Sequence, residues 1–210
     1  MRKIADKNGC LLVDDEVQSG FGKTGKLWAI EHYDCEPDIM IFGKAVGGDQ
    51  PVAGVFTRSE YWDKLVVASQ PVTFASNSIS MAASLANYEI MLDSEMNLME
   101  RTAKLGNEFR SMMKEAQNKN EIIGDIRGKG LLQAIELVKD PKTKEPVGSG
   151  KLLGLLTGPF VSQGLWIVSA GRYNNVIRFM PPLTIAHDHF INAVEIIVDV
   201  LKKNSDELRK

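Results

Sequence analysis

Short apolar runs that end in charged residues dominate the first part of the chain. Residues 11–13 are Leu-Leu-Val and precede Asp15, and residues 39–42 are Ile-Met-Ile-Phe and precede Lys44. All-apolar runs of this length predict parallel strands that are covered on both faces. In open α/β sheets, ligands bind beyond the carboxyl ends of the strands. We therefore expect an acid and an amine to face the same ligand.

Helical spacing of apolar residues dominates the later part of the chain. It predicts helices over residues 78–92 and 95–116 and a closing helix that begins after a capping Thr184. The buried stripe of the second helix is expected to contain Leu98, Leu105, Phe109 and Met112, and that of the closing helix Phe190, Val194, Ile197 and Leu201.

The remaining pattern predicts shorter elements. We expect a helix over residues 2–7 that Asn8-Gly9 ends, and a helix that Ser59 caps and that runs to about Val67. Another helix is expected over residues 151–163, ended by Gly164. The predicted strands cover residues 51–57, 166–168 and 176–179, and two antiparallel strands lie within 122–138.

Composition excludes several classes of partner. The chain has 210 residues, 44% hydrophobic and 25% charged, with a formal net charge of −2. This balance gives no reason to expect nucleic acid or an anionic membrane as a partner. No signal peptide or membrane-length apolar run is visible. Two cysteines, Cys10 and Cys35, make no disulfide framework, so we expect a cytoplasmic protein, and no His or Cys spacing indicates a metal site.

The predicted positions of Asp15 and Lys44 suit one cofactor. A pyridoxal phosphate enzyme needs a lysine for the cofactor aldehyde and a carboxylate for the pyridine nitrogen. Asp14 and Asp15 are adjacent on a strand, so their side chains point to opposite faces and one of them at most can reach the cofactor. The structural alternatives are that Lys44 is a solvated lysine and that Asp15 is an acid that caps a loop.

Several motifs carry a resemblance to a known family. The segment DEVQSGFGKTG, from Asp15 to Gly25, resembles the DEVQTGFGRTG motif of class III aminotransferases, the ornithine, acetylornithine and 4-aminobutyrate group. Pro37-Asp38-Ile39 and Gly43-Lys44-Ala45 resemble the family's cofactor-lysine segment. The resemblance implies the C-terminal part of a fold-type I α/β enzyme, with a partial large domain over residues 1–95 and a small α+β domain over 96–210.

The resemblance also assigns roles to site residues. Lys44 would hold pyridoxal 5'-phosphate and move a proton at the substrate Cα. Asp15, rather than Asp14, would contact the ring nitrogen, and Val17 would pack on the ring face. Gln18 would donate to the phenolic oxygen of the ring, although a polar loop glutamine is the simpler alternative.

Two further residues are implied by the resemblance. Thr73, in TFASNS, resembles the hydroxyl that reaches the cofactor phosphate of the neighbouring subunit, which implies a homodimer. Ser78 departs there from the family's proline. Arg178, in IRFMPPL, resembles the arginine that binds the substrate carboxylate, which suits a planar guanidinium. Its alternative is an internal salt bridge, and for Arg127 a structural role is expected.

The motifs match the C-terminal half of the family pattern. The family's Gly/Ser-rich phosphate loop and its ring-stacking aromatic residue belong upstream of Met1, so we expect a fragment, a truncated gene or one half of a split enzyme. Transamination between an amino acid or ω-amine and a 2-oxo acid is the main functional expectation. A racemase or epimerase that uses Lys44 and Asp15 stays open, as does a non-catalytic remnant or partner subunit.

Overall fold

The chain divides into two compact units. The computed structural model describes residues 1–64 and 72–210. Unit 1 is Met1–Arg101 and unit 2 is Thr102–Lys210. The domain division expected from the sequence, between residues 95 and 96, stays a prediction.

Unit 1 contains a three-stranded sheet. The strands follow the order β1-β2-β3, with β1 parallel to β2 and β2 antiparallel to β3. Two short 3-10 helices, Ala29–His32 and Lys44–Gly47, follow β1 and β2 along the chain. The described elements are α1 (Arg2–Lys7), β1 (Val13–Asp15), β2 (Ile39–Gly43), β3 (Ala53–Thr57), α2 (Ser59–Trp62) and α3 (Ser78–Leu92).

The prediction of cover on both faces is wrong for the first strand, β1. Leu11 is 47% exposed and Val13 is 50% exposed. Strand β1 begins at Val13 and includes Asp14 and Asp15, so the ladder lies two residues later than predicted. Apolar sequence predicts cover, but cover requires neighbouring elements, and the described residues give β1 a single partner strand.

Unit 2 contains an antiparallel four-stranded sheet in the order β4-β5-β7-β6. Most of α4 belongs to this unit. The elements are α4 (Leu98–Lys119), β4 (Ile123–Lys129), β5 (Leu132–Leu137), α5 (Ser149–Thr157), α6 (Pro159–Ser162), β6 (Val168–Ala170), β7 (Val176–Phe179), α7 (His187–Lys203) and α8 (Ser205–Arg209).

A continuous hydrophobic core lies within unit 2. Phe109 of α4 stacks on Phe179 of β7 with ring centroids 4.8 Å apart, and Phe190 of α7 meets Phe179 edge-on at 6.0 Å. The whole predicted stripe of the closing helix is buried, which confirms that prediction. In α4, Met113 is fully buried and Met112 is only partly buried, so the predicted stripe is one residue off at that point.

Helix α4 makes a close backbone contact with the turn between β4 and β5. A Cβ atom built on Gly106 would lie 2.1 Å from the carbonyl oxygen of Gly130. The buried Gln133 amide donates to the carbonyl oxygens of Gly130 at 2.7 Å and Gly106 at 3.3 Å. One side chain therefore connects the helix to the turn.

Several predicted boundaries agree with the structure and others need correction. Helix α3 and strand β7 have the predicted bounds. Thr184 does not cap the closing helix, because α7 begins after Ala186. Ser59 is the first residue of α2 and Arg58 precedes it as the N-cap residue. The predicted end of α2 near Val67 lies outside the described residues.

The helix predicted over residues 151–163 is two helices. Gly158 separates α5 from α6, and Pro159 is the first residue of α6. Proline suits that position because its missing N–H would have no partner in the first turn. Helix α6 ends at Ser162, and Gly164, two residues later, has a φ of 79°, which lies in the left-handed region.

Candidate active site

Lys44 follows strand β2 and has an unusual backbone conformation. Its φ is 48°, in the left-handed region that few non-glycine residues adopt. The side chain is exposed, and its Nζ donates a hydrogen bond to Oε1 of Gln18 at 2.8 Å. The structure therefore joins the end of β2 to the loop that follows β1.

The glycines after Lys44 serve contacts within the chain. A Cβ on Gly47 would meet the side chain of Val52 at 2.8 Å, and one on Gly48 would meet the amide of Asn87 at 2.8 Å. The described neighbours of these two glycines belong to unit 1 itself.

Asp15 lies at the carboxyl end of β1. It pairs in parallel register with Ile41, three residues before Lys44, so both strands end at the same edge of the sheet. The Asp15 side chain is exposed, and its Oδ1 accepts a hydrogen bond from the backbone N–H of Val17 at 3.0 Å. This contact fixes the start of the loop that carries Val17, which is half-buried, and Gln18, which is exposed.

Asp14 lies on the opposite face of β1, as alternation along a strand requires. Its Oδ2 is buried and accepts no hydrogen bond from the described residues. Burial, reinforced by the neighbouring Glu16 carboxyl, raises the pKa of Asp14 to about 6. This environment favours the protonated form of the Asp14 carboxyl. Asp15, in contrast, is exposed to solvent.

Glu16 is a site-supporting residue that the sequence reasoning missed. It is 2% exposed, its Oε1 accepts from the backbone N–H of Ile30 at 2.7 Å, and its Oε2 accepts from the Ser19 hydroxyl at 2.5 Å. These bonds hold the loop between β1 and the first 3-10 helix. The signal that could have found it is its spacing: Glu16 is two residues after Asp14, on the buried face of the strand.

Thr73 lies in the turn before α3 and is exposed. Among the described residues, no hydrogen bond joins the Thr73 side chain to the other predicted site residues of unit 1. Asn77 caps α3, because its side chain accepts from the N–H groups of Ile79 and Ser80 at 3.1 Å each. Ser78 is the first residue of the helix, where the family's proline is favoured but not required. The substitution therefore leaves the cap intact.

Arg178 lies on β7 in unit 2 and is half-buried. Its guanidinium group makes no ion pair or hydrogen bond with the described part of the chain. It contributes to a pocket of about 450 Å³ whose wall includes Trp166, Met180 and Pro182. A half-buried cation without a partner favours an anionic ligand, because burying an unpaired charge costs free energy.

Arg127 lies on the same sheet and forms ion pairs with two carboxylates. It contacts Asp125 at 2.7 Å and Glu136 at 2.6 Å. The Asp125 carboxylate, followed by Glu136, holds the pKa of Arg127 above its usual range. These contacts fit the structural role expected for this residue.

The histidines and acids form no metal cluster in the parts of the chain that the structure describes. His187 contacts Glu108 at 3.0 Å, and His32 contacts the hydroxyl of Thr24 at 3.1 Å. Within residues 1–64 and 72–210, no helix combines the length and the hydropathy that a membrane span requires.

Comparison with known proteins decides the family. A sequence profile described as "Aminotransferase class-III" matches residues 1–201. The chain belongs to the class-III aminotransferase family. Members of the family depend on pyridoxal phosphate, and the exposed Lys44, the exposed Asp15 and Gln18 are side chains that fit that group.

Two relatives and one solved structure show how far the similarity reaches. The chain is 35% identical to 5-aminovalerate aminotransferase of Pseudomonas aeruginosa over 95% of its own length and 46% of the relative. It is 37% identical to alanine/serine racemase of Pyrococcus horikoshii, covering 96% of the chain and 41% of the relative. The structure of taurine:2-oxoglutarate aminotransferase from Bifidobacterium kashiwanohense, in complex with pyridoxal phosphate and glutamate, superimposes with a TM-score of 0.88 at 26% identity.

The superposition covers 99% of this class-III chain and 47% of the solved chain. The chain therefore spans less than half the length of the relatives that it matches. The mixed α/β fold predicted from the sequence, part of a fold-type I enzyme, is confirmed.

Proposed function

We propose that the protein containing this chain transfers an amino group between an amino acid or ω-amine and a 2-oxo acid. The observation that carries the proposal is the placement of Lys44. The structure holds a non-glycine residue in the left-handed region directly after β2, and its amine reaches Gln18. Strained backbone of this kind concentrates at functional sites, where the surrounding structure maintains it.

The proposed roles follow from the chemistry of each side chain. Bound pyridoxal phosphate supplies an electron sink for the negative charge that develops at the substrate Cα. The Lys44 amine would remove the proton from that carbon and, as transamination requires, would move it to C4′ of the cofactor. The Asp15 carboxylate keeps a proton on the ring nitrogen, Val17 packs against the ring, and Gln18 hydrogen-bonds to the phenolic oxygen.

Arg178 is proposed to bind the substrate carboxylate. Its guanidinium has no partner among the described residues and contributes to the wall of a pocket. A two-pronged arginine–carboxylate pair is stronger than a neutral hydrogen bond and fixes the orientation of the substrate. Relatives named for 5-aminovalerate and taurine support ω-amino donors for this chain, with 2-oxoglutarate as an acceptor.

A racemase or epimerase is the second candidate. The similarity to alanine/serine racemase, at 37% identity, is as high as the similarity to the aminotransferases. The two reactions share removal of the Cα proton and differ in where a proton returns. Transamination consumes a 2-oxo acid and converts the donor into a new carbonyl compound, a 2-oxo acid from an α-amino acid or an aldehyde from an ω-amine. Racemisation changes only the optical activity of the amino acid.

We further propose that activity requires protein beyond these 210 residues. The support is that β1 has one partner strand among the described residues, that Leu11 and Val13 are exposed, and that the chain covers less than half of the two relatives compared above. A homodimer, in which Thr73 reaches the cofactor phosphate of the neighbouring subunit, and a cytoplasmic location are proposed from the family resemblance and from the sequence. Sedimentation of the complete protein, with and without Thr73→Val, tests the dimer.

The function is tested in two steps. First, the chain is incubated with pyridoxal phosphate, reduced with borohydride, digested and analysed by mass spectrometry, with Lys26→Ala as a lysine control and Lys44→Ala as the test variant. We expect label on Lys44, lost only in Lys44→Ala. Second, the complete protein is assayed with 5-aminovalerate, taurine and L-alanine, each with 2-oxoglutarate, for glutamate formation and for D-alanine. Label spread over exposed lysines would favour a non-catalytic protein, and D-alanine without glutamate would favour the racemase.

A further inference from the structure

Two arginines, Arg127 and Arg178, lie on one face of the unit 2 sheet near a single carboxylate, that of Glu136. Ala134 on the central strand β5 pairs with Arg127 of β4 on one side and with Arg178 of β7 on the other. Glu136 is two residues further along β5, on the same face of the sheet. It is therefore the diagonal neighbour of both arginines, at a separation that long side chains span.

The structure shows which arginine holds Glu136. Arg127 contacts Glu136 at 2.6 Å and also Asp125 at 2.7 Å. Arg178 contacts neither acid, and it makes no other ion pair in residues 1–64 and 72–210. Two carboxylates therefore neutralise one cation, while the second cation stays available.

We propose that Arg127 is a positioning residue that keeps Glu136 away from Arg178, so that the Arg178 guanidinium stays open to a carboxylate substrate. The proposal rests on the proposed function of Arg178. Without Arg127, the Glu136 carboxylate would lose its partner, and Arg178 is its diagonal neighbour on that face of the sheet. An internal Arg178–Glu136 pair would then compete with the substrate for the same hydrogen-bond donors.

The expected size of the effect follows from the exposure of the group. The side chain of Glu136 is 32% exposed, so a new pair with Arg178 would be partly screened by solvent. Such pairs change an equilibrium constant by up to about fivefold. We therefore expect Arg127→Ala to raise KM for carboxylate substrates by up to about fivefold and to leave kcat unchanged.

Two measurements test the proposal. The Nε–Hε nuclear magnetic resonance signal of Arg178, assigned by its loss in Arg178→Ala, reports the ion pair in the 210-residue chain without any activity. We expect Arg127→Ala to shift this signal, and the double variant Arg127→Ala/Glu136→Gln to return it to the wild-type position. In the complete holoenzyme, KM for a carboxylate substrate should rise in Arg127→Ala and recover in the double variant.

Control variants separate competition from damage to the fold. Arg127→Lys retains the charge and Asp125→Asn leaves the Glu136 contact in place, so both should keep the wild-type signal and KM. An unchanged Arg178 signal in Arg127→Ala, or no recovery in the double variant, would overturn the proposal. Addition of glutarate, a dicarboxylate probe, to the wild-type chain tests carboxylate binding separately. If the Arg127→Ala signals shift as expected but glutarate does not move the Arg178 signal, Arg127 still keeps Glu136 from Arg178, and carboxylate binding by Arg178 is overturned instead.

Discussion

Gly106 provides a prediction in which the structure reverses the usual effect of a substitution. Replacing glycine by alanine inside a helix normally stabilises a protein by about 1 kcal/mol. At Gly106 the new Cβ would lie 2.1 Å from the carbonyl oxygen of Gly130, and the atoms that it meets are all backbone. Backbone atoms cannot rotate away as the end of a side chain can, so α4 and the β4–β5 turn would have to separate.

The separation costs more than the helix gains. Forcing an extra methyl group into a packed contact costs about 1–3 kcal/mol. The Gln133 amide bridges Gly106 and Gly130 and is 1% exposed, so losing its acceptors adds about 1–3 kcal/mol. After subtraction of the gain in helix propensity, we expect Gly106→Ala to lower the free energy of unfolding by about 1–5 kcal/mol.

Gly154 offers a matched control in the same unit. It lies in α5, and a Cβ built there meets no atom within 4 Å. Gly154→Ala should therefore stabilise unit 2 by up to about 1 kcal/mol. Urea unfolding, followed by circular dichroism, should move its midpoint down by on the order of 1 M in Gly106→Ala and slightly up in Gly154→Ala. Equal or greater stability of Gly106→Ala would refute the close contact.

The site residues give four further predictions. Lys44→Ala should abolish borohydride trapping of pyridoxal phosphate and all turnover of the complete enzyme, and trapping at the wild-type level would contradict the assignment. Asp15→Asn should preserve trapping but slow loss of the Cα proton, measured by exchange in deuterated water, whereas Asp14→Asn should change it much less. Burial raises the pKa of Asp14 to about 6, so the contribution of this carboxyl to stability is present at low pH and is lost as pH rises through that value. Asp14→Asn should therefore raise the free energy of unfolding in urea at pH 8 by on the order of 1 kcal/mol, after allowance for solvent screening. Near pH 4 the same substitution should change it little. Arg178→Ala should weaken the binding of carboxylate substrates by about 2–5 kcal/mol, measured as a higher KM. The KM for an amine without a carboxylate should stay nearly unchanged.

Elements whose signals are local could be predicted from the sequence. Asn77 caps α3, and apolar spacing over the next four turns defines the helix, so both of its ends were predicted. The break at Gly158-Pro159 was also visible as a local stop signal, but the apolar residues on either side were read as one helix. Thr184 is a good capping residue by type, but the partly buried Ile185 packs against the core, and the helix begins only after it.

Features that depend on distant neighbours could not be predicted in the same way. The apolar residues of β1 were read as buried, yet Leu11 and Val13 are exposed because burial depends on which elements lie alongside. The contact between Lys44 and Gln18 joins residues 26 positions apart, and the motif implied a shared site without showing this bond. The role of Glu16 depends on hydrogen bonds to Ser19 and Ile30 that form only in the folded loop, so the sequence alone does not show it.

The location of the hydrophobic core has a consequence for synthesis on the ribosome. The core cluster lies within unit 2, which follows unit 1 along the chain and is therefore synthesised after it, whereas the sheet of unit 1 is short and half-exposed. At about 5–20 residues per second, unit 2 takes roughly 5–20 seconds to complete. During that interval the exposed strand edge of β1 is accessible to other nascent chains and to chaperones. Unit 1, which lies outside the core cluster, is therefore exposed to association with other chains before unit 2 is complete.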